Sequence, residues 1–334
     1  MTIRELAKKL NLSITTVSRA LDGYSEVAEE TRRRVIEAAQ EMGYEPSFAA
    51  RQLRRKRTDT LGYILPTSSP RFSDPFYTTF LTGLCDEAAS QNMDLLITSS
   101  PPESEEEKEQ YRRMVQSHRV DGIILNRTRI NDWRVEFLTE HKFPFVALGK
   151  GKTEAAFPYI DVADEALFEE LVAHLSNRGH QRIGFIGTTP SLVIQQDRFA
   201  GYLRGLERAG LEFDPALVRQ VRLTENDGYL AARELLALPE PPTAILGIND
   251  LTALGAVRAA KEQGIYIGTE LAIAGYDGIK ETEYTVPPLT TVLQPTYEIA
   301  RTLARMLVEL IDGQIPPDTV VPVQPTLVIR ASTG

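Results

Sequence analysis

Residues 3–21 read IRELAKKLNLSITTVSRAL, and their pattern of apolar residues predicts the fold of the N-terminal part of the chain. The apolar residues of its first half recur with the i, i+3, i+4, i+7 spacing of one helical face; they are Ile3, Leu6, Ala7 and Leu10. Asn11 and Leu12 interrupt this helix, and Ser13 is suited to cap a second helix over 14–21. A third helix is predicted over 29–42, and its expected buried residues are Val35, Ile36, Ala39 and Met42. Three short helices, the first two joined by a tight turn, predict a helix-turn-helix unit.

The second helix carries side chains that are suited to reading a DNA duplex. It combines short hydroxyl side chains with one long forked donor, and these residues are Thr15, Thr16, Ser18 and Arg19. Hydroxyls contact phosphates and base edges, and a guanidinium pairs with guanine O6 and N7. A small helical bundle with a solvated Thr/Ser face is the alternative interpretation of the same pattern.

The charges of the chain are segregated along the sequence. The net charge of the 334 residues is −9, which by itself argues against a nucleic-acid partner. Residues 1–58 nevertheless hold 12 Lys or Arg against 8 Asp or Glu, a net charge of +4, so the remaining residues carry −13. A basic head on an acidic body indicates that the head meets a polyanion and that the body has another role.

A short basic segment, FAARQLRRKR at residues 48–57, follows the three helices. It holds five Lys or Arg between Arg51 and Arg57 and no acidic residue. Because isolated helices shorter than about 12–15 residues are marginal, a helix of this length is not stable alone. We expect it to form when DNA phosphates neutralise the arginines and Leu53 enters an unstacked base step of a bent minor groove. A charged interdomain linker is the alternative.

From Asp59 onward, short apolar runs alternate with helical patterns. The runs are TLGYILP (60–66), DLLITSS (94–100), GIILN (122–126), FVALG (145–149), RIGFIGT (182–188), TAILGIN (243–249) and LAIAGYD (271–277). This alternation is typical of βαβ units and parallel sheets, and it occurs twice, over about 60–150 and 182–277. The closing segment, from LTTVLQP to TLVIR, is expected to cross back between the two copies. The predicted fold is an all-α helix-turn-helix head followed by an α/β body of two doubly wound parallel-sheet lobes.

Ligands of open α/β sheets bind beyond the carboxyl ends of the strands, so polar residues placed after the apolar runs are the candidates for a binding site. These residues are Asp74, Asn126, Lys150, Asn249, Asp250 and Asp277, with Arg198 at the start of a later helix. Carboxylates, amides and an arginine fork can together hold many hydroxyl groups, and Phe72 or Phe76 offers a ring face to a sugar. Each residue can instead be a cap or turn residue, and for Asp250 we favour a helix cap.

The sequence lacks the motifs of the common enzyme and cofactor classes. No G-x-G-x-x-G follows a strand, and neither a Walker motif nor a G-x-S-x-G is present. The four histidines are scattered, and Cys85 is the only cysteine, which excludes an intrachain disulfide and a Cys-rich metal site. We therefore expect no catalytic residue, no metal and no cofactor. No apolar run reaches the roughly 18 residues of a membrane span, which indicates a soluble cytoplasmic protein.

Residues 6–66, from LAKKLNL to TLGYILP, resemble the head of the lactose/galactose repressor (LacI/GalR) family, and the similarity continues to about Arg330. The residues whose positions match the family's base contacts are Ile14, Thr15 and Arg19. Those that match its phosphate contacts are Thr16 and Ser18. Those that match its minor-groove hinge helix are Ala50, Leu53 and Arg54, with Leu53 as the wedge.

In the body, the resemblance implies two lobes hinged by three crossovers, similar to periplasmic sugar-binding proteins. The positions that match the family's effector-contacting Arg, Asn and Asp are Arg198, Asn249 and Asp277. Those that match its first-lobe pocket are Asp74, Phe76 and Asn126. The lactose repressor has an acidic residue where this chain has Gly149-Lys150 and an aromatic residue where it has Leu223, which argues against a β-galactoside ligand. Lys150 then either donates to a hydroxyl or phosphate group or is solvated.

These observations divide the chain into four expected parts. Residues 1–45 form the DNA-binding domain and residues 46–58 form the hinge helix or linker. Residues 59–161 and 292–318 form the N-terminal effector-binding lobe. Residues 162–291 and 319–334 form the C-terminal effector-binding lobe.

The resulting hypothesis is a sequence-specific transcriptional regulator, most simply a repressor, whose operator affinity is controlled by a mono- or disaccharide bound between the lobes. Two heads read a double-stranded pseudo-palindromic operator at a fixed separation, so we expect a homodimer. Because the sequence shows no added heptad repeat, we expect no coiled-coil tetramer. One alternative keeps the DNA-binding role with a purine co-repressor or a phosphoprotein partner as the signal. The alternative of a different class is a sugar-processing α/β enzyme.

Overall fold

The structure, a computed structural model, describes residues 2–21, 24–44, 57–67, 74–316 and 318–334. The chain divides into two compact units, Met1–Thr58 and Asp59–Gly334. The described part of the first unit is built from helices, and the second unit is built from two sheets covered by helices.

The first unit contains the helices α1 (Ile3–Leu10), α2 (Ile14–Leu21) and α3 (Glu29–Glu41). The turn between α1 and α2 is tight because Asn11 adopts a left-handed φ of 53°, which asparagine tolerates better than most residues. The Ser13 hydroxyl accepts a hydrogen bond of 3.0 Å from the backbone N–H of Thr16 and thereby caps α2. This arrangement is the helix-turn-helix unit that the sequence predicts.

The apolar faces of these three helices enclose a small core. Its buried residues are Leu6, Ala7, Val17, Ala20, Val35, Ala38 and Ala39. The sequence-based expectation for Ile36 is wrong, because its side chain is 40% exposed. Successive residues of an α-helix are about 100° apart, so Ile36 points away from the face that Val35, Ala38 and Ala39 share.

The second unit contains two six-stranded sheets. The strands of the first sheet are β1 (Thr60–Pro66), β2 (Asp94–Ser100), β3 (Gly122–Leu125), β4 (Phe145–Leu148), β5 (Tyr159–Val162) and β11 (Val320–Val323). Those of the second sheet are β6 (Ile183–Gly187), β7 (Val218–Gln220), β8 (Ala244–Gly247), β9 (Ala272–Asp277), β10 (Thr290–Leu293) and β12 (Thr326–Val328). The spatial orders are β2-β1-β3-β4-β5-β11 and β7-β6-β8-β9-β10-β12. All neighbouring strands are parallel except β10 and β12, so the predicted repeat of one parallel α/β arrangement is confirmed.

Helices cover both faces of each sheet. In chain order they are α4 (Pro75–Ser90), α5 (Glu105–Gln116), α6 (Trp133–Glu140), α7 (Asp164–Asn177), α8 (Val193–Arg208), α9 (Glu225–Leu236), α10 (Asp250–Glu262) and α11 (Thr296–Ile311). In the first lobe, α4 and α11 pack on one face of the sheet, and α5 and α6 pack on the other. In the second lobe, α7 and α8 pack opposite α9 and α10. None of the helices in the described part of the chain is long and apolar enough to cross a membrane.

The chain passes between the two lobes three times, after β5, after β10 and after β11. We expected the last return to the second lobe at residue 319, but β11 pairs with β5 in the first sheet, with Val320 opposite Tyr159. The return therefore follows Val323. The strand escapes sequence reasoning because it is a short edge strand with few buried side chains, and it contains Pro322, which edge strands tolerate.

A pair of backbone hydrogen bonds joins the lobes in addition to these three crossings. The N–H of Ile130 donates to the carbonyl of Ser191 at 2.8 Å, and the N–H of Val193 donates to the carbonyl of Thr128 at 3.0 Å. They form an antiparallel bridge centred on Arg129 and Leu192. The loop after β3 of the first lobe is thereby held against the start of α8 in the second lobe.

Because α7 and α8 approach each other closely, we expect Gly201→Ala to lower the free energy of unfolding. A Cβ at this position collides with the backbone carbonyl of Glu165 and with the Cβ of Phe168, so the two helices must separate. We expect a cost at the upper end of the ~1–3 kcal/mol range for overpacking, which exceeds the roughly 1 kcal/mol that alanine gains from its helix propensity. Urea unfolding of the full chain measures the change. Gln196→Ala, on the exposed side of the same helix, is the control, and equal midpoints for the two variants would contradict the packing argument.

Candidate nucleic-acid interface and ligand cleft

Helix α2 exposes the side chains that the sequence assigns to base reading. Ile14 is 45% exposed, and Thr15 and Arg19 are also exposed. Nη1 of Arg19 lies 3.0 Å from Oε2 of Glu26, and both side chains are more than half exposed. Because such a surface ion pair contributes only about 0–1 kcal/mol, it leaves the Arg19 guanidinium able to turn to another acceptor.

The two residues assigned to phosphate contacts differ in exposure. Thr16 is partly exposed, and its hydroxyl lies 2.8 Å from the Ser13 hydroxyl. Ser18 is only 8% exposed and lies on the core side of α2, which departs from the position expected of a phosphate contact. Four further predicted site residues lie outside the described residues, and their roles stay predictions: Ala50, Leu53, Arg54 and Phe72.

Six of the residues predicted for effector binding line one cavity of about 60 Å³ between the two lobes. This inner cavity is defined by Asp74, Phe76, Asn126, Arg198, Asn249 and Asp277. The first three belong to the first lobe and the others to the second lobe. The shared position at the carboxyl ends of parallel strands explains why residues so distant in sequence meet here.

Arg198 is the buried cation of the inner cavity. Its guanidinium lies 3.7 Å from the centroid of the Tyr276 ring, and Nη1 donates a 2.6 Å hydrogen bond to the carbonyl of Ile248. Nη2 donates to Oδ1 of Asp164 at 3.3 Å, and Nη1 lies 3.9 Å from Oδ1 of Asp277. The buried Nε has no hydrogen-bond partner among the described residues. The guanidinium is thus fixed in place, with one buried N–H from which no described group accepts.

Asp277 ends β9 with a φ of 123°, a backbone conformation that is rare for a residue other than glycine. Burial raises the pKa of its carboxyl well above the ordinary value, although the Arg198 guanidinium opposes this shift. Strained backbone and a perturbed carboxyl at the same position are typical of functional sites.

Asn249 and Asp250 have different roles at the start of α10. The Asn249 side chain accepts a 3.0 Å hydrogen bond from the N–H of Thr252 and is the N-cap of the helix, while it also lines the inner cavity. The expectation that Asp250 caps the helix is therefore wrong. The Asp250 carboxylate is fully buried and accepts hydrogen bonds from the Thr291 hydroxyl at 2.6 Å and the Ile279 N–H at 2.9 Å. Burial raises its pKa to about 6.

First-lobe residues form the opposite wall of the inner cavity. Asp74 caps α4 by accepting a 3.1 Å hydrogen bond from the N–H of Phe76, and its Oδ2 lies 3.5 Å from Nη2 of Arg127. Burial raises the pKa of Asp74 although Arg127 opposes the shift. The ring of Phe76 stacks on Phe80 with a centroid separation of 5.7 Å. The Asn126 side chain accepts a hydrogen bond from the N–H of Arg127.

Lys150 does not join the six residues of the inner cavity. It lines a neighbouring cavity of about 100 Å³ together with Asp161, Asp164 and Asp197. Its ammonium lies 5.5 and 5.7 Å from the ring centroids of Phe157 and Tyr159. Lys150 therefore lies against aromatic rings beside a group of carboxylates, in a neighbouring cavity that shares Leu148, Val162, Asp164 and Ile194 with the inner cavity.

Sequence reasoning missed a larger cavity of about 420 Å³, which shares Asp74, Arg127 and Leu223 with the inner cavity. This outer cavity is lined, among others, by Glu103, Arg127, Arg129, Thr189, Arg222 and Leu223. The run NRTRI at 126–130, which places two arginines directly after a strand, is the signal that could have found it. Among the described residues, no group of three or more His, Cys, Asp or Glu side chains is arranged to hold a metal ion.

Two family models match this chain. The model described as bacterial regulatory proteins of the lacI family matches residues 2–47, and the model of a periplasmic binding protein-like domain matches residues 172–333. The HTH-type transcriptional regulator AglR of Rhizobium meliloti is 35% identical over 338 residues, which cover 99% of this chain and 94% of AglR.

Solved structures of transcriptional regulators are also similar to this chain. The transcriptional regulator CelR in complex with cellobiose is 28% identical, with a TM-score of 0.77 and coverage of 99% of both chains. The Lac repressor dimer bound to operator and the anti-inducer ONPF is 25% identical, with a TM-score of 0.85 and coverage of 100% of this chain and 99% of the repressor. The chain belongs to the LacI family of bacterial regulatory proteins. It is a DNA-binding transcriptional regulator, and the relatives described here are regulators and not enzymes.

Asp197, one of the carboxylates beside Lys150, is expected to make the free energy of unfolding depend on pH. Burial and the neighbouring carboxylates of Asp164 and Asp161 raise the pKa of Asp197 to about 6, against about 3.9 in an unfolded chain. Between these pH values the folded chain holds more protons than the unfolded chain, so the free energy of unfolding falls as the pH rises from about 4 to about 6. Asp197→Asn removes this loss, and we expect a gain of about 1 kcal/mol at pH 7, since solvent screens the partly exposed carboxylate.

Urea unfolding at pH 4 and pH 7 measures this effect. The variant and the wild type are expected to differ at pH 7 and to converge at pH 4. Glu207→Gln, on an exposed position of the same helix, is the control that removes a carboxylate without removing a buried one. A gain that is the same at both pH values would contradict the assignment to Asp197.

Proposed function

We propose that this regulator reads a pseudo-palindromic operator as a homodimer, and that a small carbohydrate bound in the cleft controls its affinity for that operator. The observation that carries the proposal is the convergence of side chains from both lobes on the inner cavity. There, the buried Nε of Arg198 has no acceptor in the described part of the chain. A buried donor without a partner is unusual in a folded protein and is explained by a ligand that supplies the acceptor.

The DNA-binding part of the proposal assigns three residues of α2 to base edges in the major groove: Ile14, Thr15 and Arg19. Thr16 is assigned to the phosphate backbone, and Ser18, at 8% exposure, keeps this assignment only as a prediction from the family resemblance. The exposure of the first three side chains supports their assignment, because base readout needs side chains that reach out of the helix. In a homodimer, the two copies of α2 read half-sites related by two-fold symmetry.

The hinge segment is proposed to couple the head to the body. Ala50, Leu53 and Arg54 enter the minor groove in this proposal, with Leu53 as an apolar wedge and the arginines on phosphates. The basic composition of residues 48–57 supports it, because such a segment gains stability when phosphates neutralise its charge. The body then controls DNA binding by holding two such segments together or apart.

A neutral carbohydrate fits the chemistry of the inner cavity. Each sugar hydroxyl both donates and accepts, and the cavity offers the carboxylates of Asp74 and Asp277, the amides of Asn126 and Asn249, and the guanidinium of Arg198. The Phe76 ring adds an apolar face, which suits the C–H side of a pyranose. The cellobiose found with the similar regulator CelR supports the same class of ligand.

Regulation follows from the position of the ligand between the two lobes, which are connected by three passages of the chain. A ligand that contacts both lobes changes their relative orientation only by its differential affinity for two arrangements. Typical coupling free energies of about 1–3 kcal/mol change DNA affinity by roughly 5- to 150-fold. We expect the sugar to release the operator.

Arg19→Ala tests base readout. We expect a loss of about 1–3 kcal/mol on the cognate duplex and a small change on random DNA, because the guanidinium is assigned to a base and not to a phosphate. Fluorescence anisotropy with an operator selected from a random duplex library, and with random duplex of the same length, gives both affinities. Arg33→Ala, which removes an exposed arginine of α3, is the control and should leave the ratio of the two affinities unchanged. Equal losses on both duplexes for Arg19→Ala would remove this residue from base readout.

Asp277→Asn tests the carbohydrate site. Anisotropy with the selected operator across a panel of mono- and disaccharides first identifies the sugars that release DNA. The variant exchanges one acceptor oxygen for an N–H₂ donor of almost the same size, so we expect it to need about ten-fold more sugar, the equivalent of one net hydrogen bond. Operator affinity without sugar should stay unchanged.

The matched control is Asp318→Asn, which changes an exposed aspartate and should leave the sugar response unchanged. If the Asp277→Asn variant responds to every active sugar as the wild type does, Asp277 is not a ligand contact. If no sugar of the panel alters operator binding by the wild type, the carbohydrate proposal fails.

A further inference from the structure

Glu26 places a carboxylate beside the guanidinium that is assigned to base reading. Nη1 of Arg19 donates to Oε2 of Glu26 at 3.0 Å, and the two side chains are 52% and 66% exposed, Arg19 first. The guanidinium therefore meets a DNA duplex together with a negative charge and not as an isolated cation. An exposed ion pair adds little to the stability of a fold, so removing Glu26 leaves the head folded and changes the charge beside Arg19.

The turn that follows α2 holds Glu26 close to Arg19. The N–H of Tyr24 donates to the carbonyl of Arg19 at 3.1 Å, and the N–H of Val27 donates to the carbonyl of Tyr24 at 3.2 Å. The carbonyl of Tyr24 also accepts from Nη2 of Arg32 in α3 at 2.8 Å, and Val27 packs against the core of the first unit. The backbone on both sides of Glu26 is thus tied to α2, to α3 and to the core, which keeps its carboxylate within reach of Arg19.

The contact with Glu26 leaves one edge of the Arg19 guanidinium for another acceptor. It uses an N–H of Nη1, whereas the N–H groups of Nε and Nη2 form a parallel fork on a different edge of the same plane. Such a fork pairs with O6 and N7 of guanine, which is the commonest base-specific contact in the major groove. Glu26 thus occupies one side of the guanidinium and leaves the side that fits a guanine.

The pairing also removes the net charge that a phosphate attracts. A phosphate bound at the remaining edge of Arg19 would lie within about 8 Å, one Debye length, of the Glu26 carboxylate and would be repelled by it. Phosphate contacts gain their free energy from charge neutralisation and counterion release, so a neutral ion pair gains little from them. Hydrogen bonds to a base edge depend on direction, and the fork keeps its direction while it is paired. The Arg19–Glu26 pair therefore favours a guanine over a phosphate.

This preference matters because the head is basic. Residues 1–58 carry a net charge of +4, so the head is attracted to a duplex of any sequence. Because non-specific sites compete for the protein, the ratio of operator affinity to random-duplex affinity decides how much of the operator is occupied. An arginine that turns from a missing guanine to a nearby phosphate lowers this ratio, and a carboxylate beside the arginine opposes the turn.

We propose that Glu26 is a specificity-determining residue of the DNA-binding head, which positions Arg19 for guanine and opposes the contact of Arg19 with phosphates. Glu26 itself contacts neither a base nor a phosphate. This inference rests on the proposed base readout by Arg19, and it adds the residue that restricts this arginine to a base.

Glu26→Gln in the full chain tests the proposal. The amide keeps the size of the side chain but loses the charge, so Arg19 can turn to a phosphate on a duplex that lacks its guanine. We expect the affinity for random duplex to rise about three- to five-fold more than the affinity for the selected operator. Fluorescence anisotropy measures both affinities between about 50 and 200 mM salt. On random duplex, the slope of log K against log salt should steepen by about one, which is the effect of one added phosphate contact.

Two controls separate this effect from general electrostatics. Glu37→Gln removes the same charge from the same unit, at a carboxylate that lies 4.0 Å from Nε of Arg33, and it should leave the ratio of the two affinities unchanged. In the Arg19→Ala background, Glu26→Gln should change neither the ratio nor the salt slope, because Glu26 acts through Arg19.

The outcomes distinguish this inference from the proposed function. If Glu26→Gln and Glu37→Gln change the two affinities alike, general repulsion explains the effect and the role of Glu26 is overturned. If Glu26→Gln weakens operator binding and leaves random-duplex binding unchanged, Glu26 reads a base itself, which also overturns the positioning role. In both cases base readout by Arg19 stands as long as Arg19→Ala weakens operator binding alone. If Arg19→Ala weakens binding to both duplexes equally, base readout by Arg19 and the role of Glu26 fail together.

Discussion

The structure of the cleft depends on charged groups buried at the carboxyl ends of the parallel strands. A buried ion is stable only when protein groups replace the water that it loses, so each of these charges needs hydrogen-bonding partners. Arg134 is fully compensated: Asp132 accepts from its Nε and Nη2, the carbonyl of Arg127 also accepts from Nη2, and the carbonyl of Asn126 accepts from Nη1. Arg198 and Arg129 are compensated only in part. These two line the inner and the outer cavity respectively, so the incompletely paired cations coincide with the spaces open to a ligand.

The connection between the lobes places this chemistry where it can alter the shape of the body. The backbone bridge between Arg129 and Leu192 joins the lobes at the wall of the outer cavity. Beside it, the Ser191 hydroxyl of the second lobe donates to Glu103 of the first lobe at 3.1 Å. The binding free energy of any ligand that contacts both lobes depends on their orientation, which is the requirement for a shift between two arrangements.

Local sequence patterns predicted the elements and most of the inner cavity, and they failed where tertiary contacts decide. The apolar runs located β1–β4, β6, β8 and β9, the Ser13 cap located α2, and the residues after the strands located Asn126 and Asp277. The position of Ile36 could not be read from its apolar character, because the helical phase decides which side is buried. Asp250 reads as a cap, but its buried carboxylate bonds Thr291 and Ile279, which lie more than twenty residues away along the chain. The pairing of Arg129 with Glu107 also joins residues that are far apart in the sequence. The run NRTRI at 126–130 is therefore the one weak indication of the outer cavity that the sequence offers.

The pairing of each arginine with a carboxylate also decides how the cleft discriminates between ligands. Arg127 and Arg129 follow β3 directly, and their partners Asp74 and Glu107 cancel the charge and hold the guanidiniums in fixed orientations. A fixed, neutralised guanidinium still donates hydrogen bonds along defined directions. A ligand that leaves such donors unpaired loses free energy, so the donors select ligands whose acceptors lie in the right places. The same fixed donors thereby contribute to any difference in ligand affinity between two arrangements of the lobes.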